Sequence, residues 1–289
     1  MTSKPFVDHV RRTFMCIAGS VLAVVALAAQ PHVAEAQATG SPLKIGMVGA
    51  GREGGALGTL FVKAGHPVMF SSRHPENLKG LVAGLGPRAQ AGTVEQAIAF
   101  GDVVALVIPY GAIQEIGKAH AGALAKKVLV IDVSNPIARR DGEAFVKSVG
   151  EQGGAGLVTA KFLPGARIVR AFNAIGSGRL AELAHRAGEP VGVPIAGDDP
   201  KAIAVAQNLI REIGFEPVLV GGLAMGKYLV PGTPLGGEHT PAEIRQIAGS
   251  LHRPGAWEPL IRPLRMAGPL AASNGQCTWG PCPTRSARG

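Results

Sequence analysis

Lys44-Ile45-Gly46-Met47-Val48-Gly49-Ala50-Gly51-Arg52-Glu53-Gly54 is the stretch that decides how this chain folds. A short apolar run, which reads as a buried strand, ends in G-x-G-x-x-G. Helical spacing follows from about Gly54 to Ala64. In a chain with 41 glycines the pattern alone is weak. Between a strand and a helix it has a physical meaning. The first glycine makes the tight turn, the second lets backbone approach a pyrophosphate, and the third lets the helix pack on the strand. The helix N-terminus adds free N–H groups and the positive end of its dipole. Gly49, Gly51, Arg52 and Gly54 are therefore expected to bind a dinucleotide, the alternative being a purely structural glycine turn. Glu53 is awkward there, since a carboxylate repels a pyrophosphate. It is expected to point outward, offset by Arg52.

Outward from this turn, strands alternate with helices. His66 to Ser71 reads as a second strand, and Pro75 starts a helix where its missing N–H costs nothing. Thr93-Val94-Glu95-Gln96 is a capping box. Asp102 to Ile108 and Lys127 to Asp132 are apolar on both faces, as in parallel sheets covered on both sides. Arg167 to Ala171, Val191 to Ala196 and Glu216 to Val220 are further strands. Asp199-Pro200 caps a helix to about Ile213, and Thr240-Pro241 starts a last one. The expected fold is α/β, a Rossmann-type doubly wound parallel sheet, in one main domain over 41–251.

The end of the second strand indicates which dinucleotide. An NAD site places Asp or Glu there, about 20 residues past the glycines. This strand ends Phe70-Ser71-Ser72-Arg73-His74, with no acid. Ser72 and Arg73 offer donors for a phosphate dianion, so NADP(H) is favoured. A plain surface turn is the other reading. Three further segments follow strand ends, where ligands sit in such sheets. They are Ile108-Pro109-Tyr110, Ser134-Asn135-Pro136, and Asn173-Ala174-Ile175-Gly176. Tyr110 either lies near the cofactor or is a half-buried strand stop.

Taken together these residues resemble the NADP oxidoreductases dependent on the deazaflavin coenzyme F420. Their Rossmann domain is also similar to the start of pyrroline-5-carboxylate reductases and to the oxidoreductase domain of the STEAP metalloreductases. The motifs, in order, are Ile45 to Gly51, Ser72-Arg73, Val107 to Tyr110, Asp132 to Pro136, Leu163 to Ala166 with Ala171-Phe172-Asn173, Gly197-Asp198-Asp199, and Gly214 to Pro217 with Gly222-Leu223 and Leu229. The resemblance implies NADPH over the glycine turn with Ser72 and Arg73 on its 2′-phosphate. It implies the nicotinamide near Pro109 and Tyr110, with Ile108 and Asn135 also expected to bind the cofactor, and a deazaflavin or flavin (F420, FAD or FMN) against Asn173, Ala174, Ile175 and Gly176. Hydride then passes directly between two rings, so no general acid or base is required and orientation is the protein's contribution. Two other readings stand beside this one: a flavin-dependent ferric or cupric reductase-like electron donor, and a non-catalytic NADP(H)-binding module.

The ends of the chain read differently. Arg11-Arg12-Thr13-Phe14-Met15, an apolar run from Cys16 to Ala29, and Ala-x-Ala sites at 34–38 make 1–38 a twin-arginine-like export signal. An uncleaved anchor or an unused upstream extension are the alternatives, the latter leaving the protein cytoplasmic. Residues 252–289, with six prolines and Cys277 and Cys282 spaced C-x4-C, read as an irregular tail. A disulfide suits an exported protein. Two cysteines and scattered histidines give no metal set.

Composition bounds the rest. At 46% hydrophobic residues the 289-residue chain is too apolar for intrinsic disorder. A net charge of +9 with 4% aromatics, spread rather than striped, does not make a nucleic-acid surface. The partners expected are a small-molecule redox partner and a second copy of the chain, with membrane contact only through export or the anchor.

Overall fold

The protein is described by a computed structural model over residues 42–252. Met47 and Ile45 face one side of strand β1 (Ile45–Val48) and Val48 the other, and all four residues of the strand are buried. The chain continues through α1 (Arg52–Lys63), β2 (Val68–Ser71), a 3-10 turn at Pro75–Leu78, α2 (Lys79–Leu85), β3 (Ala89–Gly92), α3 (Val94–Phe100) and β4 (Val103–Leu106). Then come α4 (Ile113–Leu124), β5 (Leu129–Asp132), α5 (Ala138–Asp141), α6 (Glu143–Glu151), α7 (Ala155–Phe162), β6 (Ile168–Arg170) and α8 (Ser177–Leu183). β7 (Gly192–Gly197), α9 (Pro200–Glu212), β8 (Glu216–Gly221), a 3-10 segment at Leu223–Tyr228 and α10 (Pro241–Leu251) complete it.

The eight strands form one sheet in the order β3-β2-β1-β4-β5-β6-β7-β8. The order reverses at β1 and β4, so the loops after these two strands diverge and open a crevice. Alternate strand residues feed two cores. Ile45, Met47, Val103, Ala105, Leu129 and Ile131 pack with Leu57 and Phe61 of α1 and with Ala206 and Leu209 of α9. Val48, Val104, Leu106 and Val130 pack with Ile98, Ile113 and Val158. A third cluster seats Ile244 and Ala248 of α10 on the β7–β8 end.

The sheet is parallel as expected, except at one pair. β6 and β7 pair antiparallel, through Val169 with Gly197 and Arg170 with Ala196, whereas β7 and β8 are parallel to each other. β7 is buried at every position, so its composition reads the same in either direction. β3, Ala-Gln-Ala-Gly, was not placed as a strand by the sequence, since it has no β-branched or aromatic residue. Pro75 opens a 3-10 turn before the α-helix begins.

Both capping boxes form. Thr93 Oγ1 accepts from Gln96 N–H at 3.2 Å and the Gln96 amide oxygen accepts from Thr93 N–H at 2.8 Å. The Thr240/Glu243 pair does the same at α10. Thr93→Ala is expected to cost ~1 kcal/mol, read as a lower urea midpoint at unchanged slope. Among the described residues no helix is long and apolar enough to cross a membrane. The signal-like segment 1–38, Cys277 and Cys282 lie outside the described residues, as does the tail apart from His252, which closes α10.

Candidate functional site

The crevice at the sheet's reversal holds two depressions that meet across Gly51 and Val107-Ile108-Pro109. One, of about 530 Å³, is walled by Gly49, Ala50, Ser71, Ser72, Arg73, Val94 and Ile116. The other, of about 350 Å³, is walled by Arg52, Glu53, Asn135, Arg140 and the run Phe172 to Gly176.

The three glycines of the turn have separable reasons. Gly49 has φ +98°, and a Cβ there would stand 2.3 Å from Val107 O. A Cβ on Gly54 would stand 1.8 Å from Gly49 O. Both are required by the protein's own packing. Gly51 is not: its backbone is ordinary extended, φ −68° and ψ −167°, and a Cβ would meet nothing within 4 Å. The space it leaves belongs to the crevice. Gly51 is also the N-cap of α1 and supplies no side-chain cap, so the first N–H groups of the helix lie open to an anion. Ser71, buried at the end of β2, fixes the turn by donating to Met47 O at 3.0 Å and accepting from Gly49 N–H at 3.3 Å. The sequence reading passed over that role.

Ser72 and Arg73 stand together at the rim of the larger depression. Ser72 Oγ accepts from His74 N–H at 3.0 Å. The exposed Arg73 guanidinium makes no hydrogen bond or ion pair among the described residues. The nearest acid in sequence, Glu76, is taken up by His74 at 3.2 Å. Such a rim has free cationic donors and no carboxylate turned into it, which suits a phosphate dianion and repels nothing.

Tyr110 is not brought to the crevice. Its ring is fully buried, and its hydroxyl donates to Ala155 O at 2.7 Å. Burial pushes its pKa up to about 12, with Thr159 working in the opposite direction. Pro109 lines both depressions; Tyr110 lines neither. Glu53 corrects a second expectation. It does not point outward: it lines the smaller depression, and its Oε1 is buried without a hydrogen-bond partner among the described residues. Burial lifts its pKa to about 7, against a hydrogen bond from the Ser177 backbone that lowers it. α8, whose Ser177 backbone stands beside Glu53, packs against α1 and covers part of the side chain.

Beneath the smaller depression lies a buried network that the sequence did not announce. Arg170 and Asp132, both 0% exposed, form an ion pair at 2.5 Å. Asp132 also accepts from Ser134 N–H at 3.0 Å and from Thr159 Oγ1 at 2.8 Å. Arg170 donates to Ser134 O at 2.9 Å and reaches Asn135 Oδ1 at 3.4 Å. Asn135 Nδ2 donates to Asn173 O at 2.8 Å. Asn173 Nδ2 donates to the carbonyls of Asp132 and Ser134, both at 3.1 Å. Asn135 thus spends its side chain joining the loop after β5 to the loop after β6. Asn173, only 5% exposed, is left with an unpartnered Oδ1 at the wall. Phe172 holds φ +61°, a left-handed backbone that a non-glycine residue adopts at roughly 1–2 kcal/mol, and this turns Asn173 back over the network. Ala174, Ile175 and Gly176 complete that wall. Arg140, a cation the sequence reading missed, donates to Asn135 O and to Asp141 at the opposite side. Among the described residues no group of His, Cys, Asp or Glu is placed to hold a metal ion.

Comparison with known proteins agrees with this geometry. Residues 44–136 match the family described as NADP oxidoreductase, coenzyme F420-dependent. A hypothetical protein from Sinorhizobium meliloti is 28% identical over 68% of this chain and 94% of its own, with a TM-score of 0.57. A candidate F420-dependent NADP-reductase from Arthrobacter sp. FB24 is 20% identical over 64% of this chain and 87% of its own, with a TM-score of 0.56, and shares the fold. The glycine turn, Ser72-Arg73, Ile108-Pro109 and Asn135 fall within the matched stretch, whereas the wall from Phe172 to Gly176 lies outside it, and a family of this kind uses a nicotinamide dinucleotide. Over residues 44–136 the chain is therefore similar to the family described as NADP oxidoreductase, coenzyme F420-dependent, and its fold is the Rossmann type.

Proposed function

We propose that the protein is an NADP(H)-dependent oxidoreductase that passes hydride between NADPH and a deazaflavin or flavin acceptor. The observation carrying this reading is the pair of depressions meeting across Gly51 and Pro109, one rimmed by Ser72 and Arg73, the other walled by Asn173 to Gly176. NADPH, when bound, supplies the hydride. The open N–H groups of α1 and the space left by Gly51 receive its pyrophosphate, and Ser72 and Arg73 take its 2′-phosphate. Pro109 borders both depressions, so a ring seated in one would lie next to a ring seated in the other. Asn173, anchored through Nδ2 to Asp132 and Ser134, presents Oδ1 as a fixed acceptor for a planar ring with N–H donors. Such preorganisation lowers the barrier by orientation.

The decisive experiment mixes the full chain with NADPH and coenzyme F420 and follows loss of the oxidised deazaflavin absorbance. Turnover with NADPH and not NADH is the expected result. Tight NADPH binding with no turnover toward F420, FAD or FMN would replace this reading with a binding module. Arg73→Glu is expected to erase the preference for NADPH over NADH. One charge-assisted contact of roughly 1.5–3 kcal/mol corresponds to about ten- to a hundred-fold in affinity. Equal NADPH affinity in variant and parent, by fluorescence titration, would remove Arg73 from the phosphate site.

A further inference from the structure

We propose that Glu53, which lines the crevice, is the acid of this reaction and delivers the proton that accompanies the hydride onto the acceptor. This rests on the hydride-transfer reading above and departs from the expectation that no acid is needed. A deazaflavin or flavin reduced by two electrons gains one hydride and one proton. NADPH gives the hydride and becomes NADP⁺, so the proton needs a separate carrier. In the proposed step the O–H bond of the Glu53 carboxyl breaks, the proton goes to the acceptor ring, and the carboxylate left behind is reprotonated by solvent at the crevice mouth.

Two unpartnered buried oxygens mark the place. Glu53 and Asn173 both line the smaller depression, and the buried Glu53 Oε1 and Asn173 Oδ1 have no hydrogen-bond partner among the described residues. Asn173 is 5% exposed and held by its amide nitrogen, so its oxygen is fixed. A structure that buries two such atoms in one wall is arranged for a ligand that satisfies them. The surroundings keep Glu53 available as an acid. β1 and β2, packed on α1, carry no charged residue, and α2 contributes only Lys79, which is exposed. On α8, Arg179 is taken up by Glu182 and Glu238 at the surface. Across the crevice Arg140 is held by Asn135 O and Asp141, and behind the wall Asp132 and Arg170 neutralise each other. Arg52, beside Glu53 on α1, is exposed. None of these cations offsets the burial that lifts Glu53 to about 7, where an acid can both give and regain a proton near neutrality.

The sign follows. The protonated form is the working one, so kcat/KM for NADPH falls as pH rises through about 7, and kcat, set in the NADPH complex, falls at higher pH. NADPH brings negative charge to the same crevice and favours the protonated carboxyl, so its binding at pH 8 draws in a proton. The test compares the native chain with Glu53→Gln, which keeps the size and removes the titration. Calorimetry of NADPH binding at pH 8 in buffers of different ionisation enthalpy reads the proton count. The native protein is expected to take up roughly half a proton or more per NADPH. Glu53→Gln should bind at least as tightly with no uptake, and this also shows that it folds. At pH 7 its turnover with coenzyme F420 should fall by about 100-fold or more, without the alkaline limb. Equal proton uptake in the two proteins overturns the assignment, and so does an alkaline limb that persists in Glu53→Gln. Uptake that disappears in the variant while neither F420 nor FMN is reduced supports Glu53 as the acid and counts against the acceptor. Failure of both proteins to bind NADPH brings down the dinucleotide reading and Glu53's part in it together.

Discussion

Arg170→Met should destabilise the protein by about 3–5 kcal/mol, because it leaves the Asp132 carboxylate buried without its counter-ion. Both residues are 0% exposed and the pair is closed at 2.5 Å, so water cannot take the place of the guanidinium. For a domain of this size that is roughly a 10 °C fall in melting temperature. The cost lies in the stranded charge more than in the lost contact. Asp132→Asn combined with Arg170→Met should therefore recover much of the stability, since two neutral groups of similar volume then face each other. A double variant no more stable than Arg170→Met alone would show that the pair is not energetically coupled. The measurement has a functional arm as well. Arg170 holds Ser134 O, and Ser134 O with Asp132 O holds Asn173. The double variant is expected to fold yet bind the acceptor less well, because the wall carrying Asn173 Oδ1 loses one of its anchors.

That network separates what the sequence reveals from what it conceals. The β1–turn–α1 unit was legible because its causes are local. Apolar residues on both faces require burial, and Gly49 and Gly54 sit where a Cβ would strike backbone within the same turn or the adjoining strand. The capping boxes at Thr93 and Thr240 were legible for the same reason, each being closed within four residues. Tyr110 was ambiguous because its partners, Ala155 and Thr159, are 45 and 49 residues away. Nothing near Tyr110 distinguishes a ring turned under α7 from one turned into the crevice. Arg170 reads as an ordinary charged strand end until Asp132, 38 residues earlier, is brought against it. For Glu53, local electrostatics point the wrong way. Repulsion from a pyrophosphate favours an outward carboxylate, but α8 packs on α1 and covers part of the side chain, leaving Oε1 buried, and that burial favours the neutral acid that repels nothing. The reversed direction of β7 belongs with these, since strand polarity is set by the connection through α8 and not by the strand's residues.

Gly51→Val separates the needs of the fold from the needs of the ligand. Valine is tolerated by the backbone at φ −68°, ψ −167°, a region β-branched residues favour, and its Cβ meets no protein atom within 4 Å. Stability is therefore expected to change by less than ~0.5 kcal/mol, as for a surface substitution. The isopropyl group instead fills the space between Arg52 and the Val107–Pro109 strand end, where the proposed pyrophosphate must approach the first N–H groups of α1. NADPH affinity should fall by at least 100-fold, since a blocked phosphate loses both its backbone donors and the helix-end field. Gly54→Ala is the contrasting variant. Its new methyl would stand 1.8 Å from Gly49 O, so it should lower the melting temperature and weaken NADPH binding together. Thermal melts and fluorescence titrations on the two variants decide the matter. If Gly51→Val melts like the parent and still binds NADPH with parental affinity, the dinucleotide does not cross this turn. If it melts early, Gly51 is kept for a packing reason that the open space around it does not reveal, and the turn loses its strongest sign of being shaped by a ligand.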